Sequence, residues 1–279
     1  VDTVILTFSK KNRTNYSIKV SEAKDQEIVF LHSKDVNSFA VNENLDFDIL
    51  VSQEAKEIVS KLESKKEYLI DLSEASSGIK EYEKGKGNPP QTAEDLKNKP
   101  FNATSKLSDS YKKHVTGSDV SRYVLNWQGN YLKYGEWIAA PRNPTFFEGE
   151  RLIIREIPGK KSLIVSYTSE DYTVKNTAHI FKIKNSIFGM LGIINSKLMG
   201  FYFKNKFSED DDVFPKAKLG QCKKLPISIN LKNNLNFDIS VKKLINSLDE
   251  VNKLSKDFLE LLGSKFNILN HSRKLQNWH

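Results

Sequence analysis

Apolar positions along the chain fall into three regimes with different periods. From residue 1 to 20 they form short runs, VDTVILTFSK and YSIKV, split by the polar residues 10–15. Apolar runs around a polar break predict a β-hairpin, and a further strand is expected over 27–32. A polar stretch through residue 44 then gives way to Ala55, Ile58, Val59 and Leu62 on one stripe, the pattern of an amphipathic helix over 52–64. Between 111 and 183 the segments SRYVLNW, YLKYGEWIAA, RLIIREI, SLIVSYT and HIFKIK alternate with turn residues such as Gln128-Gly129-Asn130 and Pro158-Gly159-Lys160-Lys161. That spacing predicts a compact, twisted sheet or half barrel. Leu191, Ile194, Leu198 and Phe201 then predict one helix over 187–204, ahead of an acidic loop at 208–212. Leu244, Leu248, Val251, Leu254, Phe258, Leu261 and Leu262 predict a long amphipathic helix over 241–266, packed on this chain or on a partner helix.

The segment EYEKGKGNPPQTAEDLKNKP, residues 81–100, breaks every period and reads as a long loop. With Lys80, it places Lys84 and Lys86 on a flexible backbone able to approach a phosphate. The expected fold class is α+β, with a twisted, mostly antiparallel β-sheet domain, flanking helices and a long C-terminal helix. The expected parts are 1–66, a tail of last strands and a linker helix; 67–227, the sheet domain; and 228–279, a helical brace.

Composition narrows the class. At 279 residues the chain can bury a core without staples. Its single cysteine, Cys222, cannot pair within the chain and reads as a structural thiol, which suits a reducing, cytoplasmic compartment. No apolar run approaches the ~20 residues that span a bilayer, so no membrane partner is expected. The start has neither the charged lead nor the cleavage site of a signal peptide. It also lacks an initiator Met and begins in mid-strand, so the sequence is expected to be a piece of a longer protein. Lys and Arg total 43 against 35 Asp and Glu, a net charge of +8, which favours a polyanionic partner.

Catalytic chemistry finds little to stand on. Asn88-Pro89-Pro90 invites comparison with the tetrapeptide of adenine-specific DNA methyltransferases, but Gln91 stands where an aromatic ring must stack on a flipped base. No glycine-rich strand-to-helix turn is present to hold a nucleotide-like cofactor. Glu22-Ala23-Lys24 and Glu63-Ser64-Lys65 fit a Mg²⁺ nuclease pattern only nominally. His32, His114, His179, His271 and His279 are scattered and read as ordinary surface or core residues. No catalytic, cofactor-binding or metal residue is therefore assigned.

A basic and aromatic stretch remains. Arg122, Lys133, Arg142, Arg151, Arg155, Lys160 and Lys161 are interleaved with Tyr123, Trp127, Tyr131, Tyr134, Trp137 and Phe146. On strands and hairpin turns such cations neutralise phosphates and, as Arg, read purine edges in the major groove. Arg122, Lys133, Arg142, Arg155, Lys160 and Lys161 are the candidate DNA-binding residues, expected on one concave face. Pro141 and Pro144 stiffen the backbone around Arg142, which favours base readout. Lys160 and Lys161 crown a Pro-Gly turn, which favours phosphate contact. The plainer alternative is that the aromatics form a core and the charges a solvated face.

The order of HVTGSDVSRYVLNW, YLKYGEWIAAPR, FFEGERLIIREI, LIVSYTSEDYTVKNTAHIFKI, MLGIINSKLMGFYFK and FPKAKLGQCKKLPI resembles the TaqI-like C-terminal specificity domain. This is the target-recognition domain of type IIG restriction-modification enzymes and related adenine-specific DNA methyltransferases. The likeness covers about residues 67–227, and VDTVILTFSK resembles the last core strand of their catalytic domain. The resemblance implies sequence-specific binding of double-stranded DNA by a piece that is non-catalytic itself. It implies a parent enzyme that methylates adenine and cuts DNA, with S-adenosylmethionine and Mg²⁺ as cofactors and the methyltransferase and nuclease domains upstream. Turns such as 128–130 and 159–161 vary with the recognised sequence in this family, so base contacts do not carry over. Two readings stand beside it: a subunit-docking scaffold resembling a type I specificity subunit, and a nuclease with an unrecognised site.

Overall fold

The computed structural model describes residues 15–24, 27–39, 49, 51–64, 66–184, 186–207, 216–228 and 234–266. The chain divides into two compact units, 1–64 and 65–279, and it is an α+β protein. In the first unit β1 (Ser17–Lys24) pairs antiparallel with β2 (Glu27–Asp35), with a bulge between Val20 and Ser21. The strand expected at 27–32 is thus present and its partner is 17–24; the expected pairing of residues 1–8 with 16–20 lies outside the described residues. Helix α1 (Gln53–Ser64) follows, and Lys34, buried at 1% exposure, donates from Nζ to the Val51 carbonyl at 2.9 Å.

The second unit holds two four-stranded sheets. One runs β4 (Ser73–Ser77), β11 (Ala178–Ile183), β8 (Arg151–Arg155), β9 (Val165–Thr168), antiparallel throughout. The other runs β10 (Thr173–Val174), β6 (Tyr111–Val115), β7 (Tyr131–Lys133), β5 (Asn102–Ala103), with β10 parallel to β6. A small pair, β3 (Lys66–Tyr68) with β12 (Pro226–Ser228), joins the two ends of the sheet region.

Both sheets close on one apolar core. Ile153 and Ile180 of the first sheet meet Val115 and Leu132 of the second, together with Ile79, Ile138 and Val174. Strand alternation sends neighbouring side chains to opposite faces, yet Leu152, Ile153 and Ile154 are all at 0% exposure. The second face of this sheet is covered by α3 (Ile187–Ile194), which contacts both β8 and β9. A sheet buried on both faces reads as an unbroken apolar run, as RLIIR does.

Two expectations need correction. The helix expected over 187–204 is two helices, α3 and α4 (Lys197–Phe207). Buried Asn195 breaks it, because its amide donates to the Val165 carbonyl at 2.9 Å and its oxygen accepts from the Val165 N–H at 3.1 Å. Ser196 then caps α4, accepting from the Met199 N–H at 3.0 Å. The stretch 81–100 is not a plain loop either: it contains α2 (Ala93–Asn98), capped reciprocally by Thr92 and Asp95. Buried Gln91 ties it down, donating to the carbonyls of Glu81 (2.9 Å) and Trp137 (2.8 Å) and accepting from the Glu83 N–H (2.8 Å). The position where a base-stacking aromatic would stand is therefore a structural brace. The acidic loop at 208–212 lies outside the described residues. The C-terminal helix α6 (Leu235–Phe266) begins six residues earlier than the apolar spacing predicts and docks on α3. Gly192 permits the approach: a Cβ there would sit 2.8 Å from Phe237 and Val241 side-chain atoms. Cys222 is fully buried, and burial pushes its thiol up to about 12.

One polar cluster lies inside this apolar frame. Glu81 is 4% exposed, contacts His114 Nε2 at 3.0 Å and is paired with Lys175 Nζ at 2.9 Å, while His114 Nδ1 reaches Thr173 Oγ1 at 3.0 Å. Burial pushes the Glu81 carboxyl up, but its His114 and Lys175 partners outweigh that and hold it below the ordinary value of 4.5. A depressed carboxyl stabilises the fold above its unfolded value, and this contribution is lost as pH falls through the folded one. Glu81→Gln is expected to lower unfolding stability at pH 7 by about 2–3 kcal/mol, since Lys175 keeps access to water. Urea midpoints measured from pH 7 down to pH 3 should fall less steeply in the variant than in the parent.

Candidate nucleic-acid interface

Because β8 is buried on both faces, its charged side chains emerge at the strand end and connecting turns. Three such turns meet beside Arg155. The 3₁₀ turn Gly117–Asp119 is set by Asp119, whose carboxylate accepts from the Thr116 N–H at 2.6 Å and from Thr116 Oγ1 at 3.0 Å. Gly117 donates its N–H to Thr177 Oγ1 at 2.8 Å, and a Cβ on it would lie 2.7 Å from the Thr177 carbonyl oxygen and 3.3 Å from Arg155 Cγ. Glycine is required there by close approach. The Thr177 carbonyl in turn accepts from the Glu156 N–H at 2.9 Å. Turns 116–119 and 175–178 are thus stitched to the end of β8.

From that end the β8–β9 hairpin projects. Arg155 folds its Nε–H onto the Ile157 carbonyl at 2.7 Å, and Gly159 N–H donates to the Ser162 carbonyl at 2.9 Å. Lys160 and Lys161 are exposed on this turn. The hairpin is braced by α4, where Gly200 packs so closely that a Cβ would be 2.3 Å from the Lys161 carbonyl oxygen. Arg122 stands on the other side of β9. It is exposed, donates from Nη2 to the Asn195 carbonyl at 2.8 Å and lies 5.4 Å from the Tyr123 ring centroid. Tyr123 has φ +73°, a strained backbone for an aromatic residue. Hydrogen bonds from Tyr123 N–H to Val165 (2.7 Å) and from Tyr167 N–H back to Tyr123 (3.2 Å) hold it there.

Contacts therefore group four of the six candidate residues, Arg122, Arg155, Lys160 and Lys161, around the β8–β9 hairpin. The other two are anchored on different elements. Lys133 lies on β7 of the second sheet with Nζ 4.8 Å from the Trp137 ring centroid, and Trp137 donates to the Lys133 carbonyl at 2.8 Å. Arg142 sits at the β4 edge: Nε and Nη2 donate to Ser77 Oγ at 3.3 and 3.1 Å, and Nη1 to the carbonyls of Ala140 and Pro141 at 3.4 and 3.1 Å. Most of the fork expected to read a base is thus turned onto the protein. Arg151, part of the same basic stretch, is fully buried; it donates to the Gly149 and Glu170 carbonyls, and burial lowers its guanidinium to about 10. The aromatics of the stretch divide similarly, with Trp127, Tyr134, Trp137 and Phe146 packed against the core.

Sequence reasoning missed Thr116, Ser118 and Thr177, whose hydroxyls share the turn end with the cations. Only the tertiary joining of three turns reveals them. Among the described residues, no group of three or more His, Cys, Asp and Glu side chains could hold a metal ion. No described helix is long and apolar enough to cross a membrane.

The span that builds these turns has a counterpart in known proteins. Residues 112–227 match the family model of the TaqI-like C-terminal specificity domain. The match runs from β6 to β12 and so includes the hairpin, the 116–119 turn and the α3–α4 break. Among solved structures, the chain is similar to the type IIG restriction endonuclease BpuSI, with 10% identity, a TM-score of 0.48 and coverage of 80% of this chain and 32% of that one. It is also similar to the HsdS subunit from Thermoanaerobacter tengcongensis, with 11% identity, a TM-score of 0.32 and coverage of 74% and 46%. The chain thus spans about a third of the length of BpuSI and about half that of the HsdS subunit. No curated protein matches it.

The stitching of these turns can be broken at one atom. Gly117→Ala forces a methyl against the Thr177 carbonyl and is expected to cost about 1–3 kcal/mol. Hydrogen exchange should show faster exchange of amides in 116–119 and 175–177, with β11 unchanged.

Proposed function

We propose that this chain recognises a sequence in double-stranded DNA as the target-recognition part of a restriction-modification enzyme. The observation that carries the reading is the specificity-domain match over 112–227, the span that presents Arg122, Arg155, Lys160 and Lys161 at one turn end. Lysines on a tight, braced hairpin suit phosphate contact; the Thr116 and Ser118 hydroxyls beside Arg155 suit positioning. In this reading the longer parent protein is an adenine-specific DNA methyltransferase fused to an endonuclease. It acts in the cytoplasm with S-adenosylmethionine and Mg²⁺, and the present chain decides which adenine is offered to it.

Selection of bound sequences from a randomised duplex pool, read by gel shift with the 279-residue chain, tests this directly. An enriched sequence motif supports the reading, and a flat pool with no shift at low salt contradicts it. Lys160→Ala/Lys161→Ala should weaken binding to all sequences alike and lower the salt slope by about two. For Arg142→Ala the bonds to Ser77 favour a loss of stability; relaxed selectivity at one base position would instead mark it as a reader.

A second reading, subunit docking, is favoured by one feature. Helix α6 leaves Val251, Leu254, Phe258 and Leu261 more than half exposed. Sedimentation that gives a dimer in the parent and a monomer in Val251→Lys/Phe258→Lys would support it; a monomeric parent would remove it.

A further inference from the structure

The exposed polar stripe of α6 and the edge of the recognition sheet face each other across a groove. Its upper part, about 380 Å³, runs between Tyr123 and Ser169 on the sheet side and Lys242, Asn246 and Asp249 on the helix. Its lower part, about 340 Å³, continues past Trp127 to Asn252, Lys253 and Lys256. The two parts share Val124, Leu125, Tyr172 and Asp249, so the groove is continuous. Residues 242, 246, 249, 253 and 256 recur every three or four positions, one above another along the helix. This side of α6 is distinct from the apolar stripe through Val251, Leu254 and Phe258.

The chemistry of the walls selects an occupant. Lys242, Lys253 and Lys256 are exposed, Lys242 Nζ lies 4.6 Å from the centroid of the Phe188 ring in the groove wall, and among the α6 residues lining the groove the acidic one is Asp249. Across the groove, the Glu170 carboxylate is already paired with Lys113 Nζ at 2.6 Å. Three ammonium groups with the amides of Asn246 and Asn252 between them form a donor-rich, net positive track, which suits a phosphodiester chain better than an acidic or apolar peptide. The upper end opens at Tyr123, next to Arg122 of the turn-end interface. Tyr123 is the described aromatic residue with positive φ, and that backbone is fixed on both sides by β9. Strain retained at a groove wall is the kind of feature a binding site preserves.

We infer that this groove seats one strand of a bound DNA duplex, with its phosphates along Lys242, Lys253 and Lys256, continuing the footprint that begins at Arg122. The inference rests on the DNA-recognition reading but concerns different residues. Its test compares the full chain with Lys253→Ala/Lys256→Ala and with Tyr123→Gly, on a 30-bp duplex and on oligo-dT (the duplex length being about three turns at ~10 bp per turn). The lysine pair should lower the slope of log affinity against log salt by about two and weaken duplex binding on the order of tenfold or more at 0.1 M salt. Tyr123→Gly should lose affinity severalfold while keeping the parent's melting temperature, because glycine accepts φ > 0 without strain. A parent that binds duplex, with both variants unchanged in slope and affinity, overturns the groove and leaves the recognition reading intact. Lysine-dependent binding confined to oligo-dT overturns the duplex assignment. A parent that binds no duplex overturns the recognition reading and the groove with it.

Discussion

Burial of strand β8 on both faces constrains what surrounds it in the second unit. Ile153 and Ile180 are spent on the core shared with the second sheet, while Leu152 and Ile154 are also fully buried and α3 contacts β8 and β9. A strand buried on both sides has no face left for recognition. Each fully buried aliphatic side chain contributes about 1.5–3 kcal/mol, so the core resists giving up such a position to a charge. Charged side chains are displaced to the ends of strands, where the turns hold them rigidly. Gly117, Gly159 and Gly200 serve that rigidity, two of them by close approach to the carbonyls of Thr177 and Lys161.

The same constraint explains which parts of the molecule were legible in the sequence. The β character of 111–183, helix α1 and the long helix α6 follow from local apolar periodicity, because their apolar positions repeat with the element's own period, although in α6 Val251, Leu254, Phe258 and Leu261 stay exposed. The break between α3 and α4 does not, since Leu191, Ile194, Leu198 and Phe201 keep helical spacing through it. It is imposed by Asn195 reaching across to Val165, a contact separated by 30 residues. The 81–100 stretch was likewise opaque, because Gln91 works through bonds to Glu81 and Trp137 that composition cannot reveal.

Charge tells a parallel story at the candidate site. A list of cations cannot separate Arg151, fully buried on carbonyls, from Lys160, exposed on a turn, although they lie nine positions apart in one basic stretch. Arg142 shows the limit of local reasoning most clearly. Pro141 and Pro144 flank it, yet the fork closes on Ser77, 65 positions away. The hydroxyls of Thr116 and Ser118, which composition gave no reason to single out, share the turn end with Arg155. Propensity reads elements well and reads the destination of long side chains poorly.

If the proposed reading holds, DNA is met at the turn end of the span 112–227, on segments 116–124 and 155–164. Hydrogen–deuterium exchange on the chain with and without its selected duplex measures this most directly, since bound segments exchange more slowly. That placement predicts protection in those two segments and, where the α6 groove takes a strand, along 242–256, with the 84–99 stretch unchanged. Protection confined to 84–99 or to the Arg142 region, with both turn segments exchanging as in the free chain, would contradict it.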